Sequence, residues 1–338
     1  MKYKPFIIII PCLNEEAYIK ALVEKLAEDN KKLPAQIIIA DGKSTDQTPI
    51  IAKELEANFD NVHYLENPKR IQSAAINLAV ETYGDKAEYL IRIDAHAEYP
   101  YDFCQKLIEE AQASKADSVV VSMKTIGKEG FQKAVATAQN SKLGNGGSAH
   151  RNVQAQGQWV DHGHHALMRI SAFKAVGGYD EDFSHNEDAE LDLRLGQAGY
   201  KIWLTAKMDM IYYPRSEVKA LFKQYFKFGE GRLKTILKHK IKPHLRQMIP
   251  VGVAPAVALF IVSPIYGMLA IPALIWALIC LGYGIKLGLD NNENIDFLSG
   301  AAAMIMHLAW SLGFWKGALS NANEIPDTLR AILKGEVS

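Results

Sequence analysis

The chain has 338 residues, 49% of them hydrophobic and 22% charged, enough for one large domain or two ordinary ones and too apolar for wholesale disorder. Thirty-eight basic side chains balance 38 acidic ones, which excludes a generic nucleic-acid binder. The balance is a sum of unlike parts: residues 1–217 hold 25 basic and 31 acidic side chains, residues 218–247 nine and one, and residues 248–338 four and six. Cys12, Cys104 and Cys280 lie far apart with no CxxC pairing, which argues against a disulfide framework or zinc knuckle and for a reducing compartment. The apolar run at residues 6–10 meets Pro11-Cys12-Leu13-Asn14 without a small-residue cleavage site. It reads as a buried strand rather than a signal peptide.

In chain order, residues 6–11, 36–40, 62–65 and 89–94 are short apolar or β-branched runs, and residues 15–30, 48–58 and 71–83 carry apolar side chains at helical spacing. Strands alternating with helices of roughly 10–15 residues predict βαβ units and a mainly parallel sheet. Ligands bind such sheets at the carboxyl ends of the strands. The polar clusters fall there: Asn14-Glu15, the stretch from Asp41 to Asp46, and Asp94-Ala95-His96. Between residues 127 and 186 the pattern loosens into a helical stretch at 131–143, a glycine-rich loop at 144–148 leading to His150-Arg151, and a helix at 173–176 capped by Gly177-Gly178. A short helix at 189–198 ends at Gly199.

Residues 218–247 interleave Leu221, Phe222, Tyr225, Phe226, Leu233, Ile236 and Leu237 with lysines and arginines, as a basic amphipathic helix lying in a membrane interface does. A solvated helix is the plainer alternative. Residues 249–289 carry one charge, Lys286, with Pro264 and Pro272 as breaks, and residues 298–319 form a third apolar stretch. Each is near the ~20 residues that span a bilayer, and a buried hairpin is the alternative. The basic collar would keep the preceding domain cytoplasmic. The expected organisation is therefore a domain at 1–217, an interface segment at 218–248, about three apolar helices within 249–319, full or re-entrant, and a tail at 320–338.

Several constellations carry chemistry. Asp94 and His96, at i and i+2 after a strand, point the same way and could hold a divalent cation bridging a diphosphate, although Asp-x-His is common in surface turns. The run Asp41-Gly42-Lys43-Ser44-Thr45-Asp46-Gln47-Thr48 also reads as a capped helix start. His185-Asn186-Glu187-Asp188-Ala189-Glu190-Leu191-Asp192 crowds four carboxylates before a helix. Dipole matching explains that arrangement, as does tuning of one carboxylate into a general base. His162, His164 and His165 cluster without a usual zinc spacing.

Taken together, Ile10-Pro11-Cys12-Leu13-Asn14-Glu15-Glu16, Asp41-Gly42-x-Ser44-x-Asp46, Asp94-x-His96 and Asn186-Glu187-Asp188 resemble the inverting nucleotide-sugar glycosyltransferases of family 2 across roughly residues 5–215. The stretches Arg92 to Pro100, His185 to Glu190, Tyr213 to Ser216, Gln224 to Arg232 and Met306 to Trp310 are similar to the succinoglycan-biosynthesis ExoA subgroup of that family.

The resemblance implies a GT-A nucleotide-sugar-binding domain, a UDP-sugar donor and a divalent cation, Mg²⁺ or Mn²⁺. By position it assigns Pro11, Asn14, Glu15, Asp41, Arg70 and Asp94 to the nucleotide sugar, Asp94 and His96 to the metal, and Asp188 to the general base. Glu187, His164, Gln224 and Arg232 are assigned to the acceptor and its lipid diphosphate. His96 departs from the family's Asp-x-Asp pattern, and an imidazole suits Mn²⁺ better than hard Mg²⁺. The expected reaction adds one sugar, glucose in β-linkage, to a polyprenyl-diphosphate-linked saccharide in exopolysaccharide assembly, on the cytoplasmic face of the inner (plasma) membrane. The alternatives are a polyprenyl-phosphate sugar synthase or a non-catalytic nucleotide-sugar-binding scaffold. No GxGxxG follows the first strand, which disfavours a Rossmann oxidoreductase.

Overall fold

The computed structural model describes residues 3–147, 156–243 and 248–325. His150 and Arg151 of the glycine-rich loop lie outside them. The chain begins β1 (Phe6–Cys12), α1 (Ile19–Asp29), β2 (Ala35–Asp41), α2 (Thr48–Asn58), β3 (Val62–Glu66), α3 (Gln72–Tyr83) and β4 (Tyr89–Arg92). It continues through α4 (Phe103–Ser114), β5 (Ser118–Thr125), α5 (Gly130–Asn140), α6 (Lys142–Asn145), β6 (Gln158–Val160), β7 (His164–Arg169), α7 (Ile170–Ala175), α8 (Glu187–Gln197) and β8 (Ile202–Tyr212). The remaining helices are α9 (Val218–His239), α10 (Val253–Val262), α11 (Ile271–Asn291) and α12 (Ser299–Ser320).

One eight-stranded sheet has the order β3-β2-β1-β4-β7-β5-β8-β6. β1 pairs in parallel with β2 and β4, and β2 with β3. β7 runs antiparallel to both β4 and β5, so β5 shares the direction of the first four strands. The sheet is thus mixed, with most strands parallel. Ile7 and Ile9 pack with Ile38, Leu90, Ile76, Phe173, Leu191 and Leu195 in one buried layer. Ile8 and Ile10, equally buried, point to the opposite face by the strand's alternation. A strand apolar on both faces can only sit inside a sheet covered on both sides.

Because β1, β2, β3 and β4 are parallel, the loops after Cys12, Asp41, Glu66 and Arg92 leave one edge together. That edge alters the expected boundaries. α1 starts at Ile19 rather than near residue 15, because the Glu15 amide donates to Thr48 Oγ1 at 2.8 Å instead of opening a helix. β4 ends at Arg92, so Asp94 and His96 lie in the following turn and not on a strand. The helix expected at 131–143 breaks at Ser141, whose extended backbone and side-chain bond from the Gly144 amide start α6.

The chain divides into two compact units, residues 1–123 with 152–211, and residues 124–151 with 212–338. In the second, α9 and α12 approach closely. A Cβ added to Gly229 would lie 2.0 Å from the Trp310 carbonyl oxygen, and one added to Gly313 1.9 Å from that of Phe226. Leu221 packs with Ala302, Ala303 and Met306, and Leu233 and Ile236 with Phe314 and Ala318, so these residues of the α9 stripe face protein. Two stretches, Gly267–Asn291 and Asn294–Ser320, are long and apolar enough to cross a membrane, while Ile249–Val262 is shorter. Of the first window 17% is buried, against 50% of the second. Leu274, Ile275, Leu278, Ile279 and Ile285 of α11 are exposed, a run of large apolar side chains along one helix.

Gly229→Leu should therefore destabilise the second unit by at least ~2 kcal/mol, since inserted carbons meet backbone that cannot yield. Thermal unfolding of detergent-solubilised protein checks this; an unchanged midpoint would contradict the close approach.

Candidate active site

The loops after β1 and β2 are laced together. The Asn14 amide donates to Ser44 Oγ at 2.8 Å, Asn14 Oδ1 accepts from the Thr45 amide at 2.8 Å, and Glu16 Oε2 accepts from the Gln47 amide at 2.8 Å. Asp46 accepts from the Thr48 amide at 3.0 Å, the helix-start role open to it in the sequence, whereas Ser44 and Thr45 bond across to the first loop. Gly42 allows the approach: its amide bonds the Cys12 carbonyl at 2.8 Å, and an added Cβ would lie 3.3 Å from the Arg70 Cα. Asn14 and Arg70 hold φ of 59° and 62°, left-handed values uncommon outside glycine. Asp41, 1% exposed, takes bonds from the Ser44 hydroxyl and from Tyr64 Oη at 3.3 Å.

Beside this lies a buried charge cluster. Arg92, 6% exposed, donates from Nη1 to Asp188 Oδ1 at 2.7 Å and from Nε to Asp94 Oδ1 at 3.2 Å. With its amide oxygen turned inward, Gln72 accepts from the same guanidinium at 2.7 and 2.9 Å. Asp188 Oδ1 also accepts from Tyr179 Oη at 2.9 Å. Burial alone would raise the Asp188 carboxyl; the charges of Arg92 and His165 outweigh it and hold the group well below the ordinary carboxylate range. Asp94 is likewise lowered, burial being outweighed by Arg92. Glu187 goes the other way. Burial and then the Asp188 charge push it up to about 7. Burial and then Arg92 push His164 down to about 4, so its 3.6 Å approach to Asp94 Oδ2 is that of a neutral imidazole at pH 7.

The structure brings together Asp94, His164 and Asp188 around Arg92, and joins His96 to the first loop through a 2.9 Å contact between His96 Nδ1 and Glu15 Oε1. Pro11 lies within β1, opposite Ala40, and the Arg70 side chain is exposed. Gln224 and Arg232 belong to the second unit, where Gln224 Nε2 donates to Tyr212 Oη at 3.0 Å. Among the described residues no group of three or more His, Cys, Asp or Glu side chains could hold a metal ion.

Sequence reasoning missed Arg92 and Tyr179, and named His165 and Asp192 only as members of a histidine cluster and a carboxylate run. Two of the four left a signal. A lone charge inside Tyr89-Leu90-Ile91-Arg92-Ile93, a strand buried throughout, requires partners. Asp192 stands four residues after Asp188, on the same helix face.

The mixed sheet, with most strands parallel and polar loops gathered at one edge, has a GT-A-like arrangement. The mannosyltransferase PcManGT from Pyrobaculum calidifontis, solved with GDP-Man and Mn²⁺, superposes with a TM-score of 0.64 over 94% of this chain and 88% of its own at 15% identity, which shows the shared fold. Residues 7–177 match Glycosyl transferase family 2. The chain is 56% identical to the succinoglycan biosynthesis protein ExoA of Rhizobium meliloti (strain 1021), over 93% of this chain and 94% of that one. It is 27% identical to a dolichyl N-acetyl-alpha-D-glucosaminyl phosphate 3-beta-D-2,3-diacetamido-2,3-dideoxy-beta-D-glucuronosyltransferase of Methanococcus voltae, over 92% and 96%. The chain belongs to glycosyl transferase family 2 and is a glycosyltransferase.

The raised Glu187 carboxyl fixes the sign of a pH effect. Between its unfolded value of 4.5 and about 7, the folded chain binds the extra proton, so this group's contribution to stability falls as pH rises through that window. Glu187→Gln should raise stability at pH 8 relative to wild type by on the order of 1–3 kcal/mol, seen as a higher unfolding midpoint, and the gain should fade by pH 4.5. Unfolding scans across pH check it; an equal effect at both ends would contradict the buried, charge-crowded Glu187.

Proposed function

We propose that this glycosyltransferase moves one sugar, glucose in β-linkage, from a UDP-sugar to a polyprenyl-diphosphate-linked saccharide in exopolysaccharide assembly, with inversion at the anomeric carbon. The observation that carries the reading is Asp188, an ionised carboxylate held at Oδ1 by Arg92 and Tyr179. The acceptor hydroxyl attacks the anomeric carbon from the face opposite UDP. As the new C–O bond forms, the C–O bond to the diphosphate breaks and its electron pair leaves with UDP. Asp188 takes the hydroxyl proton on Oδ2. Glu187, titrating near neutrality, and the neutral His164 bind acceptor hydroxyls. Pro11, Asn14, Glu15, Asp41 and Arg70 hold the nucleotide, Arg70 at the diphosphate.

The donor chemistry of Asp94 and His96, an oxygen and a nitrogen two residues apart in the turn after β4, suits a cation shared with a diphosphate. Magnesium-type sites use one or two protein groups plus phosphate oxygens, so Asp94 and His96 suffice without a third. The Glu15 carboxylate on His96 Nδ1 selects the tautomer whose ligating lone pair is on Nε2, the usual arrangement for a metal-binding histidine. The nitrogen donor favours Mn²⁺ over Mg²⁺. When bound, the cation would neutralise charge developing on the departing diphosphate.

The exposed apolar face of α11 supports membrane attachment, and the basic stretch at 218–247 supports a cytoplasmic, inner-membrane placement. Lys219, Lys223, Lys227, Gln224 and Arg232 would meet the lipid diphosphate, each cation near an anionic surface contributing about 1 kcal/mol. The names of both relatives support the substrate class, one a polysaccharide-biosynthesis protein and the other a transferase acting on a dolichyl-phosphate sugar.

The test is UDP release and product formation by detergent-solubilised protein with a panel of UDP-sugars, a polyprenyl-diphosphate saccharide, and Mn²⁺ or Mg²⁺. One donor should be consumed, UDP-glucose, faster with Mn²⁺, and Asp188→Asn should lower kcat by about 10²–10⁴-fold. Wild-type turnover by Asp188→Asn would refute the assignment of the base.

A further inference from the structure

Behind Asp188 runs a second line of buried polar groups that the transfer chemistry above does not use. Tyr179 Oη lies 2.9 Å from Asp188 Oδ1 and 2.7 Å from His165 Nδ1. His165 Nε2 lies 2.6 Å from Asp192 Oδ1. Asp192 Oδ2 is met by the Gly163 amide at 3.1 Å and by His162 Nδ1 at 3.0 Å. His165 is 1% exposed and Asp192 1%, so each proton in the line is assigned by its partners rather than by water.

The phenol has one proton, and the ionised Asp188 can only accept. Tyr179 therefore donates to Asp188, and its oxygen must accept from His165 Nδ1–H. At the other end Asp192 accepts from the Gly163 amide. Burial would raise its carboxyl, but His165 and His162 outweigh that and hold it below the ordinary range. As a carboxylate it accepts from His165 Nε2–H. Both ring nitrogens of His165 thus carry protons. Charge counting agrees. With His165 cationic, Arg92 and His165 face Asp94, Asp188 and Asp192; with it neutral, a single cation would face those three carboxylates, Asp192 fully buried and the other two partly so. Burial would lower the imidazole, but the charges of Asp192 and Asp188 outweigh it and raise it.

We propose that His165 is a positioning residue, an imidazolium clamped between Asp192 and Tyr179 that fixes the phenol as a donor to the catalytic carboxylate. The sequence builds the clamp rigidly. Asn77 ties down Tyr179 at both backbone ends, accepting from its amide at 2.9 Å and donating to its carbonyl at 2.8 Å. Gly163 must lack a Cβ, because one would lie 2.4 Å from Val120 Cγ2. The fixed donor keeps one Asp188 oxygen occupied, so the incoming hydroxyl proton is directed to the other. Among the described residues, the titratable groups around His165 and Asp188 include Arg92 and Asp94 from β4 and the turn after it, His164 from β7, Tyr179, His162, and Glu187 and Asp192 from α8.

The role rests on Asp188 being the base, so the test needs one readout that turnover does not supply. Full-length protein labelled with ¹⁵N-histidine should show, at pH 8 in detergent, one histidine with both ring nitrogens protonated. That signal should vanish in His165→Gln and collapse to a neutral imidazole in Asp192→Asn. Only neutral imidazoles at pH 8 would overturn the proposal, whatever the activity. In the transferase assay, Tyr179→Phe and His165→Gln should each lower kcat while leaving donor KM unchanged, because both loosen the donor to Asp188 and neither touches the nucleotide. A loss carried by a raised donor KM with kcat unchanged would reduce Tyr179 and His165 to structural parts. An inactive wild type would instead refute the transferase reading, leaving the histidine spectrum to decide this one.

Discussion

A guanidinium buried in a sheet is the constraint on which the site depends. Arg92 ends β4 between the apolar β1 and β7, whose His164, His165 and Arg169 are polar, at 6% exposure. Taking such an ion out of water costs several kcal/mol unless anions meet it, and the fold supplies Asp94 from its own turn and Asp188 from the first turn of α8. The same contacts work in reverse. Without the cation, Asp94, Asp188 and Asp192 would be like charges crowded in a medium that screens little. The pair therefore fixes the turn after β4, the start of α8 and the ionisation of the carboxylate assigned as base. Asn186, at φ 68°, carries the chain into α8 at the angle that brings Asp188 onto Arg92.

Much of the first half could be read directly, because each signal there is local. The runs at residues 6–11 and 36–40 are apolar without alternation, and only a strand buried on both faces demands that. Residues 48–58 form a helix with the boundaries its periodicity suggests. Beyond residue 100 the code becomes non-local. β7 carries His164, His165 and Arg169 because its ends serve the charge cluster and a pair with Glu88, and those polar residues hide a strand from any test of apolar pattern. β6 has three residues and leaves Trp159 half exposed. Nothing local distinguishes it from a loop.

The site divides in the same way. Asn14, Asp41, Asp94, His96 and Asp188 stand in short motifs, so their types and spacings could be recognised. Their partners could not. Tyr179 and His165 reach Asp188 across 9 and 23 positions of sequence: the pairing of β7 with β4 places His165, and Asn77 of α3 holds Tyr179. The crowded run from Glu187 to Asp192 admitted both dipole matching and base tuning. Geometry separates its members: Asp188 and Asp192 are held ionised by different cations, Glu190 is paired with Arg194, and Glu187 is pushed toward neutrality. In the second unit the two later apolar helices were legible, whereas the first, Val253–Val262, falls short of the expected span. The glycine contacts of α9 with α12 were not read, although Gly313 and Gly317 stand at the i, i+4 spacing of closely packed helices.

The most direct test of the charge cluster is a double-mutant cycle on folding stability with Arg92→Met, Asp188→Asn and the two together. Buried partners should couple: Arg92→Met alone should cost roughly 3–5 kcal/mol by leaving carboxylates unpaired, and adding Asp188→Asn should restore at least about 1.5 kcal/mol of it. Strict additivity of the two substitutions would contradict the account.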